Sequence, residues 1–492
     1  MTEELLYFNG VNGATGEYDV GPMTAADLAA IATGLPLGDK QHLLELEYRK
    51  RMATKAHYGV RAGIDAKDLA QTGWGVIFAS DADPAVREAL SELLEWRKAQ
   101  AGDYYREYVR GQGYRPDESK PDFLKRHGAG PGPVTPPNLP YYLLLVGDPE
   151  RMPYRFQYQL DVQYAVGRLH FETLDDYARY AGSVVEAEKQ KLALPRQAAF
   201  FGVSNPGDPA TRLSAEQLVR PLAEGLTQRQ SDWSVNKVLG EAATKTRLAK
   251  LLGGAETPAL LFSASHGLGF PPGDNKQLPQ QGALLCQDWP GPQAWKGAIK
   301  PDFYFSADDV GAEARLLGLL AFFFACYGAG TPRHDDFAAQ AFKDTRAEIA
   351  PQAFVARLPQ RLLAHPRGGA LAVVGHVDRA WGYSFMWDNA RHLTVFEDLL
   401  RLLIDGYPLG AAIESFNERY AELSSDLNAE LEEIKFGKKP DAYELSDMWT
   451  ANKDARNYMI LGDPAVRLMA GAATAAERPA IAELATLPLK EN

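Results

Sequence analysis

Ala259-Leu-Leu-Phe-Ser-Ala-Ser-His266-Gly267 and Leu319-Leu-Ala-Phe-Phe-Phe-Ala-Cys326-Tyr-Gly328 follow one plan: a short apolar run, a reactive side chain, then glycine. An uninterrupted apolar run of strand length fits a strand buried on both faces, as in a parallel sheet. In an open parallel sheet, reactive groups collect just beyond the carboxyl ends of the strands. If these two strands are neighbours, an imidazole stands beside a thiol, and a cysteine needs such a base to become a thiolate at neutral pH. Gly267 lets the backbone pass close to a substrate, and its N–H with that of Cys326 would line an oxyanion hole. A lone cysteine after an apolar strand is commonly a small buried hydrophobe. What sets this pair apart is the coincidence of two such strand ends, His266 then Cys326, each followed closely by glycine.

Outward from these stretches the alternation continues. Gly75–Ala79, Tyr141–Val146, Ala198–Val203, Val235–Leu239, Ala370–Val374 and Tyr458–Leu461 read as further strands, with helical patterns between most of them. Strands alternating with helices predict an α/β fold with a mainly parallel sheet. Residues 1–70 read as an N-terminal extension, with Gly-rich turns and then a charged helical pattern through Leu43, Leu44, Leu46 and Tyr48. Residues 71–230 and 231–470 read as two α/β subdomains, the second carrying His266 and Cys326, and 471–492 as a surface tail. An amphipathic helical region runs from Leu393 to about Ile434.

The chain has 492 residues, 46% hydrophobic and 24% charged, the balance of a globular protein. A net charge of −12 argues against nucleic acid as a primary partner. No signal-like start and no apolar stretch of membrane-spanning length is evident, so no membrane role and a cytoplasmic location are expected. The two cysteines, Cys286 and Cys326, are too few for a disulfide framework. No HExxH, paired CxxC, Walker A or GxSxG pattern occurs, so neither a metal nor another cofactor is expected. Asp308-Asp309 reads as a helix start and Cys286 as structural. The basic stretches Arg110 to Arg126 and Lys435 to Lys439 read as loops open to nicking.

The Ser265-His266-Gly267 and Ala325-Cys326-Tyr327-Gly328 motifs, 60 residues apart, resemble those of the caspase-like cysteine peptidases. The gingipain-type and bacterial CHAT branches are the most similar. Tyr142-Leu-Leu-Leu-Val-Gly-Asp148, Met152-Pro153, Asp161-Val-Gln-Tyr164, Val166-Gly167-Arg168, Ala370–Gly375 with Trp381-Gly382, and Tyr458–Pro464 follow that family's order over about residues 74–468. The resemblance implies a three-layer αβα sandwich of two side-by-side subdomains, the first non-catalytic. It implies a cysteine endopeptidase in which Cys326 attacks the scissile carbonyl and His266 is the acid–base partner. Asp148, with Glu150 second, is the implied acid that orients His266.

For substrate choice, the resemblance puts Asp161 at the base of the S1 pocket and Trp381 on its wall, with Asp378 and His376 nearby. A carboxylate beside a flat ring suits a guanidinium, so cleavage after Arg, with Lys tolerated, is expected. The implied partners are protein substrates and an activating protease or regulator, and a bacterial defence or stress cascade is the implied setting. Two other classes remain open: a catalytically silent caspase-fold scaffold or regulator, and a non-proteolytic cysteine hydrolase acting on a small molecule.

Overall fold

The computed structural model describes residues 5–7, 9–34, 59–60, 63–335, 347–387, 390–471 and 478. The helical pattern through Leu43–Tyr48 and most of the tail after 471 lie outside the described residues. The strands of the two larger sheets begin with β1 (Gly10–Asn12), β2 (Trp74–Phe78), β3 (Tyr105–Tyr108), β4 (Tyr142–Val146) and β5 (Ala165–Leu169). Next come β6 (Gln197–Gly202), β7 (Ser234–Leu239), β8 (Leu260–Ala264), β9 (Gly267–Gly269) and β10 (Leu284–Leu285). The last are β11 (Tyr304–Phe305), β12 (Leu320–Phe324), β13 (Ala372–His376) and β14 (Tyr458–Gly462).

Ten strands form one sheet in the order β3-β2-β4-β5-β14-β13-β12-β8-β6-β7. The expected α/β class and mainly parallel sheet hold: every neighbouring pair is parallel except β13–β14. That single reversal decides where the chemistry can be. Strands β6, β7, β8, β12 and β13 point one way, and β2, β3, β4, β5 and β14 point the other. The carboxyl ends of the two halves therefore lie on opposite edges. Strand β6, in the stretch read as the first subdomain, pairs with β8 in the half that carries His266 and Cys326.

The apolar runs are buried throughout β2, β4, β5, β8, β12, β13 and β14, as strands covered on both faces must be. Phe200, Phe262 and Phe322 stack across β6, β8 and β12, and Phe396 of the Thr394–Ile404 helix meets Phe262 and Phe322 edge-on. The Leu393–Ile434 region divides into Thr394–Ile404, Leu409–Ala412 and Glu414–Lys435. Gly406 and Pro408 explain the first of the two breaks. At the β14 end, buried Asp463 accepts from Trp74 Nε1 (2.9 Å) and Arg97 Nε (2.6 Å), and Arg97 also grips Glu188.

The Arg110–Arg126 stretch is not the loose loop expected. Ser119 caps a helix over Lys120–Arg126, Arg126 is clamped on Glu118, and Lys120 is buried with Nζ on Gln159 O. Lys435–Lys439 does form the exposed turn between Glu414–Lys435 and the Ala442–Arg456 helix. Ser306 caps a short helical turn at Asp308-Asp309.

A second, four-stranded sheet, β11-β10-β9-β1, stands beside the carboxyl edge of β8 and β12. Its outer strand comes from the first dozen residues of the chain, and β1 pairs in parallel with β9, directly after His266.

Candidate active site

His266 and Cys326 come together because β8 and β12 pair in register, Ala264 beside Phe324, with each reactive residue two positions further on. The Ser265 N–H donates to Phe324 O at 3.2 Å. A methyl on Gly267 would lie 1.8 Å from Cys326 O, so only glycine lets the two strand ends meet. Beyond the thiol the backbone bends sharply. Tyr327 (φ 57°) and Asp378 (φ 78°) both occupy the left-handed region, a cost on the order of 1–3 kcal/mol each for non-glycine residues. Two cross-links hold the bend: Tyr327 N–H to Asp378 O at 2.7 Å and Ala329 N–H to His376 O at 2.8 Å.

The acid beside His266 is Asp208. Its Oδ2 lies 2.6 Å from His266 Nε2, and both side chains are fully buried. Asp208 lies in the loop after β6, the strand next to β8, so a third strand end serves the same edge. Its carboxylate also accepts from Thr211 Oγ1 (2.7 Å), Tyr18 Oη (2.8 Å) and the Ala210 N–H (3.2 Å), capping the Pro209–Ser214 helix. Burial alone would raise the Asp208 carboxyl, but His266 and these hydrogen bonds hold it below the usual carboxylate range. His266 Nδ1 is buried and has no hydrogen-bond partner among the described residues.

The Cys326 thiol is also fully buried and accepts from the Ala380 N–H at 3.2 Å. Burial pushes it well above the ordinary cysteine range; the Ala380 N–H and Arg379 lower it, while Asp19 and Asp378 raise it. A hairpin of residues 9–20 packs against it. β1 turns back through Asn12–Glu17, Asp19 N–H donates to Gly10 O at 2.8 Å, and a methyl on Gly10 would lie 3.4 Å from Cys326 Sγ. Tyr18 sets its ring edge-on to His266, with centroids 5.8 Å apart. Asp19 Oδ2 accepts from Tyr327 Oη at 2.6 Å and from Arg379 Nε at 3.2 Å. Arg379 also forks onto Asp335 at 2.8 and 3.1 Å.

The structure does not bring Asp148 to His266. Asp148 follows β4, five strands from β8 and on the reversed half, so its strand ends at the opposite edge. At roughly 4.8 Å per strand and 3.3 Å per residue, that separates it from His266 by more than about 20 Å. Its Oδ1 instead accepts the Glu150 and Arg151 N–H groups of its own turn, and Glu150 takes the Ala353 N–H. Asp161 ends the Tyr154–Asp161 helix just before β5. Because β5 is reversed, its amino end shares the edge of Cys326, three strands away or about 14 Å along the sheet. Trp381 is buried, its backbone N–H donating to Asp454 Oδ1 at 2.9 Å, in a cluster with Leu28, Leu427, Leu445 and Trp449. Asp378 is buried, its Oδ1 accepting the Arg379 N–H at 2.9 Å. His376 is the buried last residue of β13, its Nε2 3.3 Å from Asp454 Oδ1.

Cys286 lies after β10, buried, with Sγ 3.4 Å from Leu284 O and a thiol that burial raises. No group of three or more potential metal ligands occurs among the described residues, and none of their helices is long and apolar enough to cross a membrane. Sequence reasoning missed Asp208, whose signal was present: Asp208-Pro209 is a helix start placed just past the apolar β6 run.

No protein-family model matches the chain, and no curated protein does. Among solved structures, one described only as a protease aligns with a TM-score of 0.46 and 13% identity, covering 82% of this chain and 80% of that one. The arginine-specific cysteine proteinase gingipain R aligns with a TM-score of 0.44 and 14% identity, over 84% and 80%. A complex of the pro- and mature domains of the Porphyromonas gingivalis gingipain gives 0.40 and 14%, over 80% of each chain.

Proposed function

We propose that the protein is a cysteine endopeptidase with Cys326 as nucleophile, His266 as acid–base partner and Asp208 as the residue that orients His266. The observation that carries this reading is the buried Asp208–His266 pair on the strand end directly beside that of Cys326. Asp208 on Nε2 leaves Nδ1 as the ring nitrogen available to the thiol. In the reaction, Cys326 Sγ attacks the scissile carbonyl carbon as its proton passes to His266 Nδ1. The N–H groups of Gly267 and Cys326 donate to the resulting oxyanion. The imidazolium then protonates the leaving amine, and water, deprotonated by His266, releases the acyl group and restores the thiol.

For the P1 side chain, the Asp161 reading gives Arg over Lys. Its support is that Asp161 shares the edge of Cys326, with Asp378, just past the end of β13, on the same edge. A second reading has its own observation. Arg379 is a cation that acts on the thiol, and the carboxylates of Asp19 and Asp335 already occupy it, which favours an acidic side chain. Profiling a peptide library with purified protein beside its Cys326→Ala variant tests both. Cysteine-dependent cleavage after Arg supports Asp161, cleavage after Asp or Glu supports Arg379, and cleavage that survives Cys326→Ala removes the peptidase reading. A place in a defence cascade requires that the Cys326→Ala protein fail to protect cells under phage challenge.

A further inference from the structure

Every group of the proposed reaction is covered by one short stretch of the same chain. The hairpin from Asn9 to Val20 lays β1 along the free edge of β9, with Gly10 opposite Gly267, Val11 opposite Leu268 and Asn12 opposite Gly269. An extended peptide docking at a sheet edge would use this same edge. Gly10 lies against the thiol, Tyr18 reaches the acid that holds His266, and Asp19 reaches the hydroxyl and guanidinium just past Cys326. Beyond the hairpin, Val20 and Met23 pack on the cluster around Trp381, and Leu28 is part of it. A substrate carbonyl cannot approach Cys326 Sγ while these residues are in place.

The attachment is uneven. The tip of the hairpin is tied by backbone bonds, Gly13 N–H to Gly269 O at 2.7 Å, Ile299 N–H to Gly13 O at 2.8 Å and Gly297 N–H to Thr15 O at 3.0 Å. The returning strand reaches the site through the side chains of Tyr18 and Asp19. Gly21 and Pro22 follow, both exposed, and a methyl on Gly21 would touch nothing within 4 Å. These two exposed residues join the hairpin to Met23 and Thr24, which pair with Leu5 and Leu6.

We propose that residues 9–20 are a built-in occupant of the substrate cleft, latched by Asp19 on Arg379 and Tyr327 and by Tyr18 on Asp208, and that their release is the step that admits substrate. The inference rests on the peptidase reading for the meaning of the cleft, but its geometry is independent of any turnover. Departure of the hairpin opens Cys326 to water and withdraws the negative charge of Asp19 from beside it. Both changes favour the thiolate.

The test is the rate at which iodoacetamide labels each cysteine in the full-length chain, read by peptide mass mapping. Asp19→Lys sets a second cation against Arg379, and Tyr18→Phe removes only one hydroxyl. The expected result is labelling of Cys326 at least tenfold faster in Asp19→Lys and by a smaller factor in Tyr18→Phe, with Cys286 unchanged in both. Unchanged Cys326 labelling in both variants, or equal acceleration of Cys286, overturns the latch. Faster labelling of Cys326 without any peptide cleavage leaves the latch standing and removes the peptidase reading instead. Cleavage by the parent protein with Cys326 already labelling at the variant's rate does the reverse.

Discussion

Asp208→Asn changes one atom, and the hydrogen bonds around it dictate the consequence. In the parent, Oδ1 accepts the Ala210 N–H and Tyr18 Oη, while Oδ2 accepts His266 Nε2 and Thr211 Oγ1. An asparagine has one acceptor oxygen and one NH2 group. The Ala210 N–H can only donate, so the amide oxygen must stay at the Oδ1 position and the NH2 must face His266. Nε2 then has to accept, and the imidazole proton moves to Nδ1, the nitrogen meant to take the proton of Cys326. Replacing the charge-assisted bond by a neutral one costs about 1.5–3 kcal/mol of imidazolium stabilisation, and the wrong tautomer adds to it. By analogy with catalytic triads altered in the same way, kcat/KM falls between about a hundredfold and ten-thousandfold. The fold is retained, since shape and helix cap are kept. The assay pairs peptide-cleavage kinetics with nitrogen chemical shifts of His266, which report the tautomer. Cleavage within threefold of the parent, or a proton still on Nε2, would refute the reasoning.

Other residues give further tests. Gly267→Ala should abolish cleavage and weaken the fold, because its methyl would sit 1.8 Å from Cys326 O; a normal rate would mean the strand ends do not meet as described. Asp463→Ala strips Trp74 and the buried Arg97 of a shared acceptor. Breaking such a pair costs about 3–5 kcal/mol, seen as a lower urea midpoint in tryptophan fluorescence, and an unchanged midpoint counts against it. Burial, with Glu418 adding to it, raises the Glu414 carboxyl to about 7. A carboxyl raised in the folded state loses stability as pH climbs from its unfolded value through about 7. Glu414→Gln should therefore stabilise by up to about 3 kcal/mol at pH 8 and under about 1 at pH 5. Equal effects at both pH values would contradict the assignment.

Much of the scaffold was legible because it is buried on both faces. The runs at 260–264 and 320–324 carry no polar alternation to confuse them, and their ends identify the His266 and Cys326 edge. Tyr105-Arg-Glu-Tyr108 was not legible as a strand, since an edge strand with mixed exposure has neither signal. The reversal between β13 and β14 leaves no local mark either, because strand direction is set by the long helical connection between them. Without it, Asp148 and Asp208 look alike, each an aspartate in the loop after an apolar run; only sheet order brings Asp208 to His266. The hairpin was hidden for another reason. Gly10-Val-Asn-Gly-Ala-Thr-Gly16 reads as a string of turns, and the partners of Asp19, Tyr327 and Arg379, lie more than 300 residues away in the chain.

Covalent trapping reads out whether Cys326 is a nucleophile served by His266. Full-length protein and its Asp19→Lys variant would be incubated with a library of peptides carrying a thiol-reactive acyloxymethyl ketone, then mapped by mass spectrometry. The expected result is a peptide adduct on Cys326, faster in the variant, lost in His266→Ala and absent from Cys286. An adduct that forms equally without His266, or on Cys286 instead of Cys326, would contradict it.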